Sequence, residues 1–204
     1  MEKFHFEKVS IERKDDVIEY MQEHQACGSN INGDGGFDEV LEGKTYEECL
    51  NRSLLMEDEE YAKSKNRCPA VTYLLIREND NRLIGMINIR HILNETMLRF
   101  GGHIGYGVRP SERRKGYNKI NLYLGLIEAK KAGLDRVMLD CETKNLASSK
   151  TMEALGGKLE RTEIDPSDGI LTSVYWIDVD ESLEKYKDEY ANFIDEMYFH
   201  QIIK

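Results

Sequence analysis

Two apolar runs joined by a short polar turn limit what this chain can fold into more than any other feature. Ala70-Val-Thr-Tyr-Leu-Leu-Ile76 and Arg82-Leu-Ile-Gly-Met-Ile-Asn-Ile-Arg-His91 are rich in aliphatic and β-branched residues, and Asn79-Asp-Asn81 between them tolerates a tight reversal. The pattern predicts strand, turn, strand. Next, Gly102-His-Ile-Gly-Tyr-Gly-Val-Arg109 reads as a glycine-studded strand ended by Pro110, and Ile120, Leu124 and Ile127 recur on one face of a helix. Arg136-Val-Met-Leu-Asp-Cys141 reads as a buried strand, Asn145 to Leu155 as a short helix stopped at Gly156-Gly157, and Ile170 to Val179 as a last strand. An antiparallel hairpin combined with a βαβ unit places the chain in the α/β class with a mixed sheet.

The flanking segments are less regular. Phe4 to Ile11 alternates as a first strand, and Asp15 or Asp16 caps a helix through Val17, Ile18, Tyr20 and Met21. Gly28-Ser-Asn-Ile-Asn-Gly-Asp-Gly-Gly36 must be a loop, either a wall of a substrate site or a plain connector. Leu50, Leu54, Met56 and Tyr61 predict a second helix over Tyr46 to Lys65, with the acidic run Glu57 to Glu60 as its solvated face. Beyond Asp180, Leu183, Tyr186, Tyr190, Phe193, Ile194 and Met197 recur at helical spacing, so a terminal amphipathic helix is expected. It would pack on its own domain or, in a homodimer, form the seam.

A length of 204 residues suits one domain with a decoration. No run approaches the roughly 18 to 20 apolar residues that span a bilayer, and the start lacks the apolar stretch of a signal peptide, so the expectation is a cytoplasmic protein without membrane contact. Cys27, Cys49, Cys68 and Cys141 are scattered without CxxC pairs, which suggests neither a zinc cage nor a disulfide framework. A formal net charge of −10 argues against nonspecific nucleic-acid binding, which needs surplus Lys and Arg.

Chemistry concentrates in Val108-Arg-Pro-Ser-Glu-Arg-Arg-Lys-Gly-Tyr-Asn118, between a strand and the first turn of a helix. A helix start exposes unpaired N–H groups and the positive end of its dipole, Gly116 lets a ligand approach the backbone, and Arg113, Arg114 and Lys115 add charge. A pyrophosphate would fit there.

The same segment resembles the acetyl-CoA-binding signature of the GNAT superfamily of N-acetyltransferases, Q/R-x-x-G-x-G/A, here Arg113-Arg-Lys-Gly-Tyr-Asn118; Asn118 departs from the small residue usual at the last position. Upstream, His103-Ile-Gly-Tyr-Gly-Val-Arg-Pro110 is similar to the family's fourth strand, and downstream Asn145 to Gly156 resembles its Asn-containing helix ending in Leu-Gly. The Gly-Gly-His-Ile-Gly-Tyr and Val-Arg-Pro-Ser-Glu-Arg blocks resemble one bacterial branch of predicted acetyltransferases. The resemblance covers roughly Val71 to Val179. It implies a mostly antiparallel central sheet whose fourth and fifth strands splay, flanked by helices and followed by a C-terminal helix. It also implies one domain over 1–204: an acceptor side at 1–70, an acetyl-CoA-binding core at 71–179 and a terminal helix at 180–204. Acetyl-CoA is then the cosubstrate and no metal is required. Val108 and Arg109 would offer backbone hydrogen bonds to the pantetheine and pyrophosphate, Arg113, Arg114, Lys115, Gly116, Tyr117 and Asn118 would hold the pyrophosphate, and Asn145 with Ser148 would contact the pantetheine or nucleotide end. For Asn145 a helix N-cap is an equal reading.

Acetyl transfer to an amine needs a neutral amine, a polarised thioester carbonyl and a stabilised thiolate. His103 stands on the fourth strand, where many relatives carry a glutamate base, and imidazole can serve near neutral pH; it can also simply bond a neighbouring strand. His91 is a second candidate. The position of the family's usual acid, seven residues after the asparagine, is Met152, which leaves water or another tyrosine, such as Tyr106 or Tyr117, as the proton donor. The acceptor, a small-molecule or peptide amine, is not named by the sequence. Two rivals remain: an acyl-CoA-binding regulatory module without turnover, and an acyltransferase acting on a protein or aminoacyl group.

Overall fold

A computed structural model describes residues 2–194. Strand β1 is Phe4–Lys8, and a single 3-10 turn at Ile11–Arg13 leads into α1, Lys14–Ala26. Because that turn has already begun the coil, Asp15 and Asp16 lie inside the first turn of α1, where they oppose its dipole; neither caps it. The expected second helix is two. Helix α2, Tyr46–Leu55, opens on a capping box between Thr45 and Glu48. It stops before Asp58, whose carboxylate accepts the Tyr61 N–H at 2.7 Å and starts α3, Glu59–Ser64. Tyr46, Cys49 and Ser53 face inward, while Leu54 is 50% exposed.

The hairpin forms as expected, β2 over Ala70–Arg77 and β3 over Arg82–Arg90. A short helix absent from the sequence reading, α4 at Glu95–Arg99, is capped by Asn94 and precedes β4, Ile104–Val108. Helix α5 is Tyr117–Lys131, β5 is Arg136–Glu142 and α6 is Leu146–Ala154. Strand β6, Lys158–Ile164, also escapes the sequence reading, because it is an edge strand that points Leu159 and Ile164 outward and buries none of its side chains fully. Strand β7, Leu171–Asp178, leads directly into α7, Val179–Tyr190.

The strands form two antiparallel sheets, β1-β2-β3-β4 and β5-β7-β6. They meet where the His103 N–H donates to the Met138 carbonyl at 2.7 Å and the Met138 N–H donates to His103 Nδ1 at 2.9 Å. Beyond that point no ladder joins β4 to β5, so the splay of the fourth and fifth strands is present.

One face of the first sheet packs on α5 through Ile87, Ile89, Ile104 and Val108, together with Val137, Leu139 and Ile177 of the second sheet. Its other face packs on α1, α2 and the 3-10 turn at Phe37–Glu42 between them, through Leu74, Ile76, Leu83 and Met86 against Tyr20, Met21, Phe37 and Tyr46. Each such aliphatic side chain contributes about 1.5–3 kcal/mol of burial, which fixes the sheet between two layers. Helix α5 is buried almost all round, not on the single face that Ile120, Leu124 and Ile127 suggest, since α7 covers it from outside. Tyr190 stacks on Tyr123 with ring centroids 4.9 Å apart, so the apolar side of α7 is spent within its own chain. The helix ends at Tyr190, and Phe193 and Ile194 lie past it; Met197 falls outside the described residues. Among the described residues no helix is long and apolar enough to cross a membrane.

Candidate active site

The parted strands leave one edge of β4 open. The Arg90 N–H donates to the His103 carbonyl at 2.7 Å and the Arg109 N–H to the Ile84 carbonyl at 2.9 Å. The alternation of an antiparallel ladder then turns the backbone groups of Gly105, Gly107 and Arg109 toward β3 and those of Ile104, Tyr106 and Val108 toward the gap. The side chains of Ile104, Tyr106 and Val108 enter the core beside α5, while Gly105 and Gly107 face the loop over 28–36. That loop is no loose connector: a Cβ on Gly33 would stand 2.5 Å from the Gly105 carbonyl oxygen, and one on Gly107 would stand 2.8 Å from the Asn32 carbonyl oxygen.

The chain leaves β4 through the turn at 109–116. Arg114 and Gly116 adopt positive φ, 64° and 86°, and Gly116 caps α5. From Arg114 to Asn118 no backbone N–H has an acceptor among the described residues, and a Cβ on Gly116 would meet nothing within 4 Å. These donors lie at the positive end of a fifteen-residue helix. The turn is held from beneath by Glu112, a buried carboxylate that accepts from Arg77 at 3.1 Å, Arg82 at 3.2 Å and Lys115 at 2.7 Å. Burial alone would raise its pKa, but Lys115 and Arg77 outweigh that and hold it below the ordinary glutamate value. Arg113 reaches Ser29 Oγ at 2.6 Å, tying the turn to the glycine loop, and Asn118 Oδ1 is buried without a hydrogen-bond partner among the described residues.

Two residues from the signature region point elsewhere. The Arg109 guanidinium, 1% exposed, is held by Glu23 at 2.7 Å, Glu19 at 2.8 Å and the Leu83 carbonyl at 3.1 Å, so the side chain serves α1 and only its backbone borders the turn. Tyr117 packs on Phe4 and gives its hydroxyl to Glu2, away from the gap.

Across the gap, Asn145 caps α6, with its Oδ1 accepting the Ser148 N–H at 3.1 Å. Tyr106 spans the opening to Ser148, and burial pushes its hydroxyl pKa up. Met152 is wholly buried in the core. At the closed end His103 is buried with Nδ1 occupied by the Met138 N–H; burial and the Arg90 charge push its pKa down to about 4. A neutral imidazole has one basic lone pair, and here it is already engaged. His91 instead lines a cavity of about 270 Å³ on the α5 side of the first sheet, with Lys8, Tyr73, Ile89 and the α5 residues Glu128 and Lys131.

One group was missed by the sequence reading. Asp140 on β5 accepts the Gly101 N–H at 2.6 Å, and Arg90 donates to the Gly101 and Gly102 carbonyls at 3.1 and 3.0 Å. A lone aspartate inside an otherwise apolar strand is the signal that was available.

Residues 41–156 match the family described as "Acetyltransferase (GNAT) family". No curated protein sequence matches the chain. Among solved structures the fold is similar to Mycobacterium smegmatis RimJ in complex with CoA-disulfide, with a TM-score of 0.65 at 14% identity over 91% of this chain and 88% of that one. It is also similar to the ribosomal-protein-S5-alanine acetyltransferase of Vibrio fischeri, with a TM-score of 0.62 at 16% identity over 89% and 96%. The spermidine N-acetyltransferase of Vibrio cholerae, a dodecamer, gives a TM-score of 0.60 at 13% identity over 90% and 98%.

Proposed function

We propose, from the premise that this chain belongs to the acetyltransferase (GNAT) family, that it is an N-acetyltransferase moving acetyl from acetyl-CoA to a primary amine by direct attack in a ternary complex. The observation that carries this reading is the open edge of β4 running into a turn whose N–H groups from Arg114 to Asn118 have no acceptor among the described residues. Acetyl-CoA supplies the activated acyl group as a thioester. Backbone groups of Val108, and of Arg109 at the end of the strand, would bind the pantetheine arm; Arg113, Arg114, Lys115, Gly116, Tyr117 and Asn118 would hold the pyrophosphate, chiefly through N–H donors and surface charge. Ser148 and the Asn145 end of α6 would border the pantetheine.

Tyr106 is the proton donor to the departing thiolate in this reading, taking over from a helix position filled by buried Met152. His103 belongs to the same site as the residue that closes the apex and sets the strand register. The acceptor amine would enter beside the loop over 28–36. Neighbours named for spermidine and for ribosomal-protein alanine support an amine acceptor of either small-molecule or polypeptide kind. One domain over 1–204, a cytoplasmic setting and homodimerisation by a surface other than the buried side of α7 complete the proposal.

Met152 favours a second reading, a regulatory module that binds acyl-CoA without turnover. Thiol release from acetyl-CoA against spermidine, free amino acids and short peptides beginning with serine or alanine, run beside calorimetric titration of acetyl-CoA alone, separates them. Release with any amine establishes the enzyme; tight binding with no release across the panel favours the module; absence of binding overturns both.

A further inference from the structure

Acetyl transfer has to move protons on two sides of one carbonyl carbon: one leaves the attacking nitrogen and one reaches the departing sulfur. Tyr106 accounts for the sulfur side, since it lies on the α6 face of the gap. The opposite face requires a group with a free basic lone pair. His103 does not supply it, because its Nδ1 is committed to the Met138 N–H.

The hydrogen-bond pair between His103 and Met138 fixes how β5 lies beside β4, so Asp140 falls two residues beyond the junction, where the strands have begun to part. Along β5, Val137 and Leu139 belong to the core beside α5 and Cys141 packs against it. Alternation therefore sends Met138 and Asp140 to the other face, the one on which Gly101-Gly102 crosses Met138 and on which Arg90 lies. Asp140 is partly buried. One carboxylate oxygen is fixed by the Gly101 N–H at 2.6 Å, and the other has no hydrogen-bond partner among the described residues. Burial raises its pKa, opposed by the Gly101 N–H and by Arg90. The charged groups facing it are Arg90 from β3 and Arg161 and Asp165 from β6 and the turn after it.

We propose that Asp140 is the general base of the transfer, taking the proton of the incoming ammonium through its free oxygen while the Gly101 N–H holds the other. This rests on the acetyltransferase reading. The ammonium N–H bond breaks and its proton goes to the Asp140 carboxylate. The freed lone pair forms the C–N bond at the thioester carbon, and the C–S bond breaks. The second nitrogen proton ends on the coenzyme A sulfur by way of Tyr106, and Asp140 returns its proton to water. His103 is then a positioning residue that pins β5 so that Asp140 stands at the opening.

Asp140→Asn is the decisive variant, because its amide oxygen can still accept from Gly101 and keep the junction. Thiol release with acetyl-CoA and the best amine of the panel, and acceptor-independent hydrolysis of acetyl-CoA, would be followed from pH 5 to 9, with calorimetry of acetyl-CoA binding and a melting curve as controls. The expected result is unchanged acetyl-CoA affinity and melting, a fall in kcat of about 10²-fold or more, and loss of the acidic limb of the kcat profile. His103→Gln should keep that limb even where its rate falls. Asp140→Asn with the parent's rates and pH profile overturns the proposal, as does loss of the limb in His103→Gln alone. Should Asp140→Asn melt early, Asp140→Glu decides: its acidic limb moves away from the parent's midpoint if the carboxylate is the base and stays at the parent's midpoint if the residue only ties down Gly101. A parent chain that fails to bind acetyl-CoA would instead remove the acetyltransferase reading itself.

Discussion

Tyr106 on β4 and Ser148 on α6 are joined across the parted strands, Oη to Oγ at 3.1 Å, with the Ser148 carbonyl 3.3 Å from the same hydroxyl. A buried phenol held in this way keeps its proton at neutral pH and offers it at one fixed place. Tyr106→Phe should therefore lower kcat by about tenfold to a hundredfold while leaving the calorimetric affinity for acetyl-CoA within about twofold of the parent. Equal kcat in the two proteins would take Tyr106 out of the chemistry.

His103 makes a second expectation concrete. Its folded pKa of about 4 lies below the ordinary 6.5, so between those values the unfolded chain binds the proton that the folded chain refuses. Stability contributed at neutral pH is then lost as pH falls from about 6.5 to about 4 and changes no further below that. At 1.36 kcal/mol per pH unit the loss from this group is bounded at about 3 kcal/mol. Urea unfolding at pH 7, 5.5 and 4.5 should show the decline in the parent and a shallower one in His103→Gln; identical slopes would mean that other groups govern the acid response.

Glu112 supports the pyrophosphate turn from within the protein. Removing its charge leaves Arg77, itself buried, facing a gap, so Glu112→Ala should cost about 3 kcal/mol or more by urea unfolding. It should also weaken acetyl-CoA binding, since the free N–H groups lose their platform. Because the folded pKa is depressed, this support is complete above about 4.5 and lost as pH falls through the lower folded value. A variant as stable as the parent would show that Arg77 is satisfied by Asp80 and Glu2.

Gly33 sits at φ 77° with its missing side chain directed at the Gly105–Tyr106 backbone. Gly33→Ala should lower stability by roughly 1–3 kcal/mol and displace the loop. Kinetically it should raise KM for the amine more than Kd for acetyl-CoA. The reverse order, with cofactor affinity failing first, would place the loop on the coenzyme side.

The parts of this architecture that are local were legible in the sequence. The hairpin from Ala70 to Arg90, the glycine strand stopped at Pro110 and the helix capped by Asn145 each declare themselves within a short stretch of chain. Strand β6 did not, because an edge strand with Leu159 and Ile164 turned outward carries no inward apolar alternation to detect. The break between α2 and α3 depends on one capping contact of Asp58 inside an otherwise continuous helical pattern. At the site, the basic turn could be read from residue types, whereas the true direction of Arg109 depends on Glu19 and Glu23, some ninety residues earlier. Asp140 is of the same kind: its meaning comes from Gly101, 39 residues away, and nothing in Val-Met-Leu-Asp-Cys announces that partner.

The contact between the glycine loop and β4 is main chain on main chain, at Gly33 against Gly105 and at Asn32 against Gly107. The two layers are thus joined without side chains, and mutation has little there to vary except by wedging them apart. Retuning which molecule the loop admits beside it would have to come from insertions, deletions or changes at its ends. A lineage exploring new acceptors from this ancestor should differ first in loop length between α1 and α2, long before it differs in the residues of the strand.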